Sequence, residues 1–252
     1  MINKEKQYFG FKQVSIEEKQ YLVNQMFSNI ANKYSLMNNI ASLGLQHVWK
    51  ETLCRMIPNI NSKILDVAGG TGDISFALKN RAIKYNRDCN ITLCDTNKDM
   101  LKICKSKAIN RNMIHNFNII KADATKLPFK DNSFDYYTIS FGIRNVISIQ
   151  DTLKEAFRVL KPTGKFLCLE FSQVTSSMII NRLYNFYTFK VIPRIAQYLA
   201  SNKNAYKYLA ESIQLFPDQK EFKNMIQSVG FKDVSYKNLT FGIVAIHYGF
   251  KR

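Results

Sequence analysis

The spacing of hydrophobic positions along the chain changes near residue 63. Before that point, Ser15 and Glu18 form a capping-box pair, which satisfies free amide groups at a helix start. The helix behind them has apolar positions at helical intervals: Leu22, Val23, Met26, Phe27, Ile30, Ala31 and Tyr34. A second helix is predicted from Gln46 to Met56, after the turn-like Leu43-Gly44. We therefore expect an N-terminal helical cap over residues 1–60.

From Lys63 onward, short apolar runs alternate with helical patterns. The runs are Ile64–Val67, Ile91–Cys94, Phe117–Ile120, Tyr136–Ser140 and Phe166–Phe171. This alternation predicts βαβ units around a parallel sheet. Two last runs, Val234–Leu239 and Ile243–Phe250, are joined through Gly242 and predict an antiparallel hairpin.

These elements predict one α/β domain over residues 1–252, with a mostly parallel seven-stranded sheet. Five βα units closed by a hairpin are the order expected of a class I, Rossmann-like methyltransferase sheet. After the fifth strand, residues 173–217 are dense in Tyr, Phe and Ile and predict a helical lid insertion. A helix over Gln219–Val229, ended by Gly230, follows this lid.

A glycine-rich turn follows the first strand of the predicted sheet and opens a helix. Its pattern is Asp66-x-x-x-Gly70-x-Gly72, and glycines let the backbone turn sharply and approach a ligand closely. Ser75 stands where a dinucleotide fingerprint would have its third glycine, and no Lys follows as a P-loop requires. The pattern that remains is that of an S-adenosyl-L-methionine (SAM) site.

Two carboxylates after the next strands strengthen this interpretation. Asp95 ends the second strand, where it can accept hydrogen bonds from both ribose hydroxyls; the alternative is an N-cap of the following Asn97–Ala108 helix. Asp123 follows the third strand and can accept from an adenine amino group; the alternative is a turn residue.

Substrate-side candidates lie where the fourth strand ends, within residues 138–145. This segment lacks the Asn-Pro-Pro-Tyr signature of amino-group methyltransferases, and no cysteine follows a Pro as in cytosine carbon-5 enzymes. His47, His115 and His247 are scattered without metal-ligand spacing, so we expect no metal.

Composition excludes a fibrous or disordered chain and raises the question of an anionic partner. The formal net charge is +17, which favours nucleic acid or an acidic membrane surface unless the charge is simply solvated. Five cysteines without a Cys-x-x-Cys pair predict reduced, mostly buried thiols. No apolar run reaches the ~18 residues of a membrane span, and no signal peptide opens the sequence, which leaves a cytosolic protein or a removed targeting segment.

The chain resembles the ubiquinone/menaquinone biosynthesis C-methyltransferase family, whose members methylate polyprenylated quinol rings. The resemblance extends from Phe9 to Lys251 and rests on the order of modest motifs: residues 33–38, 65–73, 141–146, 158–162, 169–172, 208–213 and 238–243. Two departures are visible, because Ser35 stands where the family usually has Asp, and Thr163 where it has Gly.

The resemblance implies an enzyme that uses SAM. Thr71, Asp95, Asp123, Ala124 and Ser140 would contact the cofactor, beside Asp66, Gly70 and Gly72 of the glycine motif. Tyr34, Arg144 and Asn145 would face the quinol ring as catalytic residues; the alternatives are a salt bridge that ties a loop for Arg144 and core packing for Tyr34. Arg144 suits stabilisation of a phenolate, with a water taking the proton and Asn145 orienting the second oxygen.

The resemblance also implies a substrate, partners and a location. The N-terminal region resembles mitochondrial members, which implies a peripheral enzyme on the matrix side of the inner membrane that methylates 2-methoxy-6-polyprenyl-1,4-benzoquinol in ubiquinone biosynthesis. A homodimer and a multi-protein biosynthetic complex are implied as well. The basic, aromatic lid could line a tunnel for the polyprenyl tail and contact an anionic membrane; the alternative is an ordinary packed helix pair whose Lys and Arg side chains extend to solvent. Demethylmenaquinol methylation, an RNA methyltransferase and a non-catalytic quinone-lipid binder are the alternatives.

Overall fold

The structure is a computed structural model that describes residues 7–58, 61–172 and 203–252. Its first part contains a strand pair and three helices: β1 (Gln7–Phe9), β2 (Lys12–Val14), α1 (Ile16–Ile30), α2 (Tyr34–Ser42) and α3 (Gln46–Arg55). The remainder contains β3 (Lys63–Val67), α4 (Asp73–Lys84), β4 (Asn90–Asp95), α5 (Lys98–Asn110), β5 (Phe117–Lys121), β6 (Phe134–Ser140), α6 (Ile149–Val159), β7 (Leu160–Phe171), α7 (Lys203–Leu215), α8 (Gln219–Ser228), β8 (Lys232–Leu239) and β9 (Val244–Phe250). Short 3₁₀ turns lie at Ala31–Lys33, Ile143–Asn145 and Thr240–Gly242.

Seven strands form one sheet in the order β5-β4-β3-β6-β7-β9-β8. The pairs β3/β4, β3/β6, β4/β5 and β6/β7 are parallel, whereas β9 runs antiparallel to both β7 and β8. The order reverses between β3 and β6, and ligands of open α/β sheets bind at the carboxyl ends of the strands beside such a switch point. The predicted fold class, including the C-terminal antiparallel strands, is confirmed.

Neighbouring residues of the strands pack into two different cores, one on each face of the sheet. Ile64, Leu167 and Leu169 belong to the core that includes Trp49, while Leu65 and Phe166 belong to the other. This follows from the pleat, which points successive side chains to opposite faces. Burial on both faces explains why the strands read as continuous apolar runs in the sequence. All five cysteines are buried and unbridged, as predicted.

The N-terminal segment differs from the sequence prediction in two respects. Ser15 does cap α1, since its side chain accepts from the Glu18 amide. However, α1 ends at Ile30, where Ile30 and Ala31 are buried against Met100 of α5, and Tyr34 begins a second helix instead of continuing the first. The pair β1/β2 was not predicted, because strands of three residues carry too little alternation to recognise.

The predicted lid lies mainly outside the described residues, which omit 173–202. Its last part is α7, a helix as predicted. The division into one domain with a cap and a lid stays a prediction. Within the described ranges, no helix combines the length and apolar character that crossing a membrane requires.

We expect Ser15→Ala to lower the free energy of unfolding by about 1 kcal/mol, because α1 loses its N-cap acceptor. Urea denaturation measures this change. Ser106→Ala, at an exposed position inside α5, is the matched control and should change stability little, since alanine is the better helix former. Equal effects of the two substitutions would contradict the role assigned to the cap.

Candidate functional site

The glycine turn between β3 and α4 is fixed to the end of β4 by a hydrogen bond. Gly70 and Gly72 have φ of 54° and 87°, in the left-handed region that glycine adopts without strain. The Gly70 amide donates to Asp95 Oδ2 over 2.9 Å, and Asp95 Oδ1 accepts from the Asn97 amide. Asn97, and not Asp95, is the N-cap of α5. The Asp95 carboxylate is therefore positioned at the strand end by two backbone amides.

Asp66 is a buried carboxylate at the base of the same turn. Its oxygens accept from Ser75 Oγ of α4 over 2.7 Å and from Thr138 Oγ1 of β6 over 3.0 Å. Burial raises its pKa to about 6, although these hydrogen bonds oppose the increase. Asp66 thus ties together three elements that border the site.

A cavity at the carboxyl ends of β3, β4 and β6 has two adjoining compartments, whose empty volumes of about 790 and 350 Å³ include space open to solvent. Tyr34, Ala68, Gly70 and Phe141 line both compartments. The α1 helix closes the larger one, and it is attached there because Asn97 Nδ2 donates to Asn24 O and Ser28 Oγ.

The structure brings together most of the predicted cofactor residues around this cavity. The larger compartment is lined by Gly70, Asp95, Asp123 and Ala124, and the smaller one by Asp66, Gly70, Thr71 and Ser140. Gly72 lines neither compartment; a Cβ there would lie 2.7 Å from the Phe76 ring, so its small size serves packing. Asp123 Oδ1 also accepts from the amide and hydroxyl of Thr125, so it holds a turn as well as facing the cavity.

Lys50 and Asp73 border the smaller compartment and were not predicted as site residues. Lys50 Nζ donates to Asp73 Oδ2 over 2.7 Å and to Gln46 Oε1 over 2.6 Å. Burial acts to raise the pKa of Asp73, but Lys50 and Lys107 outweigh it and leave that pKa lowered. Asp73 follows Gly72 directly, yet nothing local in the sequence indicated that α3 would bring Lys50 to it.

The three predicted catalytic residues occupy different places. Tyr34 lines both compartments, and burial raises its pKa. Asn145 lines the larger compartment, and its Oδ1 accepts from Tyr208 of α7 over 3.0 Å. Arg144 lines neither; it borders an adjacent cavity that contains Tyr208 and shares Val146 and Ile147 with the larger compartment.

Arg144 forms a buried ion pair at the end of β7. Its Nη1 donates to Glu170 Oε1 over 2.5 Å and to Phe141 O over 2.9 Å. The side chains of Arg144 and Glu170 are 8% and 1% exposed, so solvent hardly screens the pair. Burial raises the pKa of Glu170, although Arg144 and the neighbouring amides oppose the increase. Neither Glu170 nor Tyr208 was assigned a role from the sequence.

The residues around the cavity fit a bound SAM. Ser140 Oγ is buried and has no hydrogen-bond partner among the described residues, and it lines the smaller compartment beside Thr71. An unpaired buried hydroxyl is costly unless a ligand satisfies it. The Lys50–Asp73 pair there offers both signs of charge, which matches the carboxylate and ammonium of an amino-acid end group.

Solved structures with the same architecture define the class of fold. A SAM-dependent methyltransferase of Thermotoga maritima, described as a possible histamine N-methyltransferase, aligns with a TM-score of 0.63 at 17% identity over 90% of this chain and 99% of that one. The [4+2]-cyclase SpnF aligns with a TM-score of 0.56 at 15% identity over 91% and 94% of the two chains. This is the class I SAM-dependent methyltransferase fold, and the fold alone does not specify the reaction.

Sequence relatives identify the family within this class. The ubiE/COQ5 methyltransferase family model matches residues 12–251. Proteins named ubiquinone/menaquinone biosynthesis C-methyltransferase, from Rickettsia bellii (strain RML369-C) and Rickettsia felis, are 54% and 55% identical over 243 residues, which covers 96% of this chain and 98% of each relative. The chain belongs to the ubiE/COQ5 methyltransferase family, and it is a SAM-dependent C-methyltransferase of ubiquinone/menaquinone biosynthesis.

These relatives bear on two of the sequence interpretations. They confirm the enzyme class and SAM as the cofactor, which removes the non-catalytic binder from consideration. The relatives are bacterial, so they do not support the predicted mitochondrial location.

We expect Lys50→Met to weaken SAM binding roughly 10- to 100-fold, because a charged hydrogen bond to the cofactor carboxylate is lost. Calorimetry with SAM, S-adenosylhomocysteine and decarboxylated SAM measures this. The first two should lose affinity equally, whereas the decarboxylated analogue should bind both proteins alike. Lys105→Met, at an exposed position of α5, is the control and should bind as the parent does. Unchanged SAM affinity in Lys50→Met would contradict the assignment.

We expect the raised pKa of Asp66 to make the protein less stable as pH rises from about 4 to 6. The folded state holds this proton more tightly than the unfolded chain, so the stabilisation is present below the unfolded pKa of 3.8 and is lost as pH passes about 6. Asp66→Asn should abolish the part of this loss that comes from Asp66, which is on the order of 2–3 kcal/mol of unfolding free energy over this pH range. Urea unfolding across this pH range, with Asp233→Asn as control, measures it; an unaltered slope in Asp66→Asn would rule out Asp66 as the source.

Proposed function

We propose that the enzyme methylates a ring carbon of a polyprenylated benzoquinol, with 2-methoxy-6-polyprenyl-1,4-benzoquinol as its substrate. The observation that carries this proposal is the cluster of Arg144, Asn145 and Tyr208 beside the cofactor cavity. Arg144 and Asn145 line two adjacent cavities, and a cation and an amide so placed suit the two oxygens of a quinol that lies where these cavities meet.

The boundary between the larger compartment and the cavity of Arg144 also favours an aromatic, apolar substrate. Val146 and Ile147 line both cavities, and Phe141 lines the larger compartment beside them. A quinol ring in contact with these side chains would be shielded from water, which strengthens its interaction with Arg144.

SAM supplies the electrophilic methyl group when it is bound. The residues of the chain must hold the ring carbon close to that group and stabilise the charge of an ionising quinol oxygen, because phenols have pKa values near 10. Arg144 supplies the positive charge, and Asn145 Nδ2 orients the second oxygen. The Asn145 side chain is itself held by Tyr208, and its Nδ2 donates to Phe141 O over 3.3 Å.

Methylation of demethylmenaquinol is the second candidate, because the relatives carry both pathways in their name. A naphthoquinol differs from the benzoquinol mainly by a fused ring, and the apolar walls described above accept either.

An RNA substrate has no support in the family to which the chain belongs. The homodimer, the multi-protein complex and peripheral contact with an anionic membrane stay predictions. The formal net charge of +17 is the observation that favours the membrane contact.

Methyl transfer from labelled SAM to reduced short-chain quinols tests the proposed function. We expect turnover with the methoxy benzoquinol, and Arg144→Ala should lower kcat by about 100-fold or more while SAM affinity stays near that of the parent, because Arg144 lies outside the cofactor cavity.

Arg55→Ala, an exposed arginine of α3, is the matched control and should keep full activity. Faster turnover of demethylmenaquinol analogues than of the benzoquinol would assign the enzyme to the menaquinone step instead. Absence of transfer to any quinol by the folded, SAM-binding protein would overturn the proposal.

A further inference from the structure

Glu170 has an unsatisfied oxygen in a place where the fold shields it almost completely. Its Oε1 accepts from Arg144 Nη1 and from the Phe171 amide over 2.8 Å. Its Oε2 and Arg144 Nε have no hydrogen-bond partner among the described residues. One group is an acceptor and the other a donor, so a water or a substrate hydroxyl could satisfy each of them.

This ion pair is a poor device for stability alone. Removing two charges from water costs several kcal/mol, and apolar residues of similar size usually serve as well. Burial with unpaired atoms is instead typical of functional sites, where strongly perturbed groups collect. Arg144 also directly precedes Asn145, which lines the larger compartment and accepts a hydrogen bond from Tyr208 of α7.

We propose that Glu170 is the proton acceptor for the quinol hydroxyl and that it acts through a water bound beside Arg144. This inference rests on the proposed function, and it identifies the group that ionises the substrate.

The proton transfer leaves the charge of the site unchanged. The quinol O–H bond breaks and its electron pair stays on the oxygen, while the proton passes through the water and a new O–H bond forms at Glu170 Oε2. Arg144 then faces a neutral carboxylic acid and a negative quinol oxygen. Its positive charge, which was paired with Glu170, is now paired with the quinol oxygen. In the buried site this exchange avoids creating an unpaired charge.

The raised pKa of Glu170 lies closer to the pKa of the quinol hydroxyl that gives up the proton. A smaller difference between these two pKa values favours general base catalysis. The titratable side chains that interact with Glu170 among the described residues are Arg144, Cys168 and Tyr208. Burial raises the pKa of the Cys168 thiol and that of Tyr208, the latter to about 12, so neither competes as a base near neutral pH.

The test compares Glu170→Gln with the parent enzyme. Because the general base is lost, kcat should fall by about 100-fold or more while SAM affinity by calorimetry stays close to that of the parent, and the melting temperature should fall because Arg144 loses its buried counter-charge. The pH–rate profile of the parent should show a limb that rises as the carboxyl ionises, and this limb should vanish in Glu170→Gln. Fluorinated quinols have hydroxyls that ionise more readily and need a base less. With these substrates, the difference in kcat between Glu170→Gln and the parent should become smaller.

Glu51→Gln, at an exposed position of α3, is the matched control and should behave as the parent in every measurement. Glu170→Asp carries the test if the glutamine variant does not fold: it should retain the pH limb with a lowered kcat, because the acceptor has moved back by one methylene.

A rising pH limb that persists in Glu170→Gln would overturn the inference, and so would a parent-like kcat in either variant. Failure of the proposed function is a different result, because in that case the parent enzyme itself would transfer no methyl group to any quinol.

Discussion

The buried carboxylate of Asp66 is the interaction on which the geometry of the site depends. It accepts hydrogen bonds from the hydroxyl groups of Ser75 and Thr138, so it joins the end of β3 to the first turn of α4 and to β6. Between these elements lies the glycine turn, whose Gly70 amide is in turn held by Asp95. One chain of hydrogen bonds thus sets the relative positions of the three strand ends from which the cofactor compartments are built.

The two sides of the site obey different electrostatic rules. On the cofactor side, the Asp73 carboxylate pairs with Lys50 and keeps a lowered pKa despite burial, which suits a permanent charge that meets a charged ligand. On the substrate side, Glu170 is more deeply buried and its pKa is raised even beside Arg144. Asn145 connects the two sides, since it faces the larger compartment and bonds Tyr208. The same kind of ion pair therefore anchors on one side and can exchange a proton on the other.

Fold similarity and family membership contribute different information about this enzyme. Structures below 20% identity share its sheet and include both a methyltransferase and a cyclase, so the architecture specifies where a ligand binds but not what happens to it. The relatives above 50% identity specify C-methylation in quinone biosynthesis and leave ubiquinone and menaquinone undistinguished. The choice of ring and the proton path are proposals that rest on the side chains around Arg144.

Local sequence was sufficient for the strands of the seven-stranded sheet, the Ser15 cap, the glycine turn and the place of Asp95 at the end of β4, because apolar runs, capping boxes and glycines act over a few neighbouring residues. It was not sufficient for the break after Ile30 or for the pair β1/β2, which depend on packing against other segments. The contacts of Lys50 with Asp73 and of Arg144 with Glu170 join residues 23 and 26 positions apart. Only tertiary structure decided these pairs, because α3 packs against α4 in the first case and the parallel strands β6 and β7 end side by side in the second.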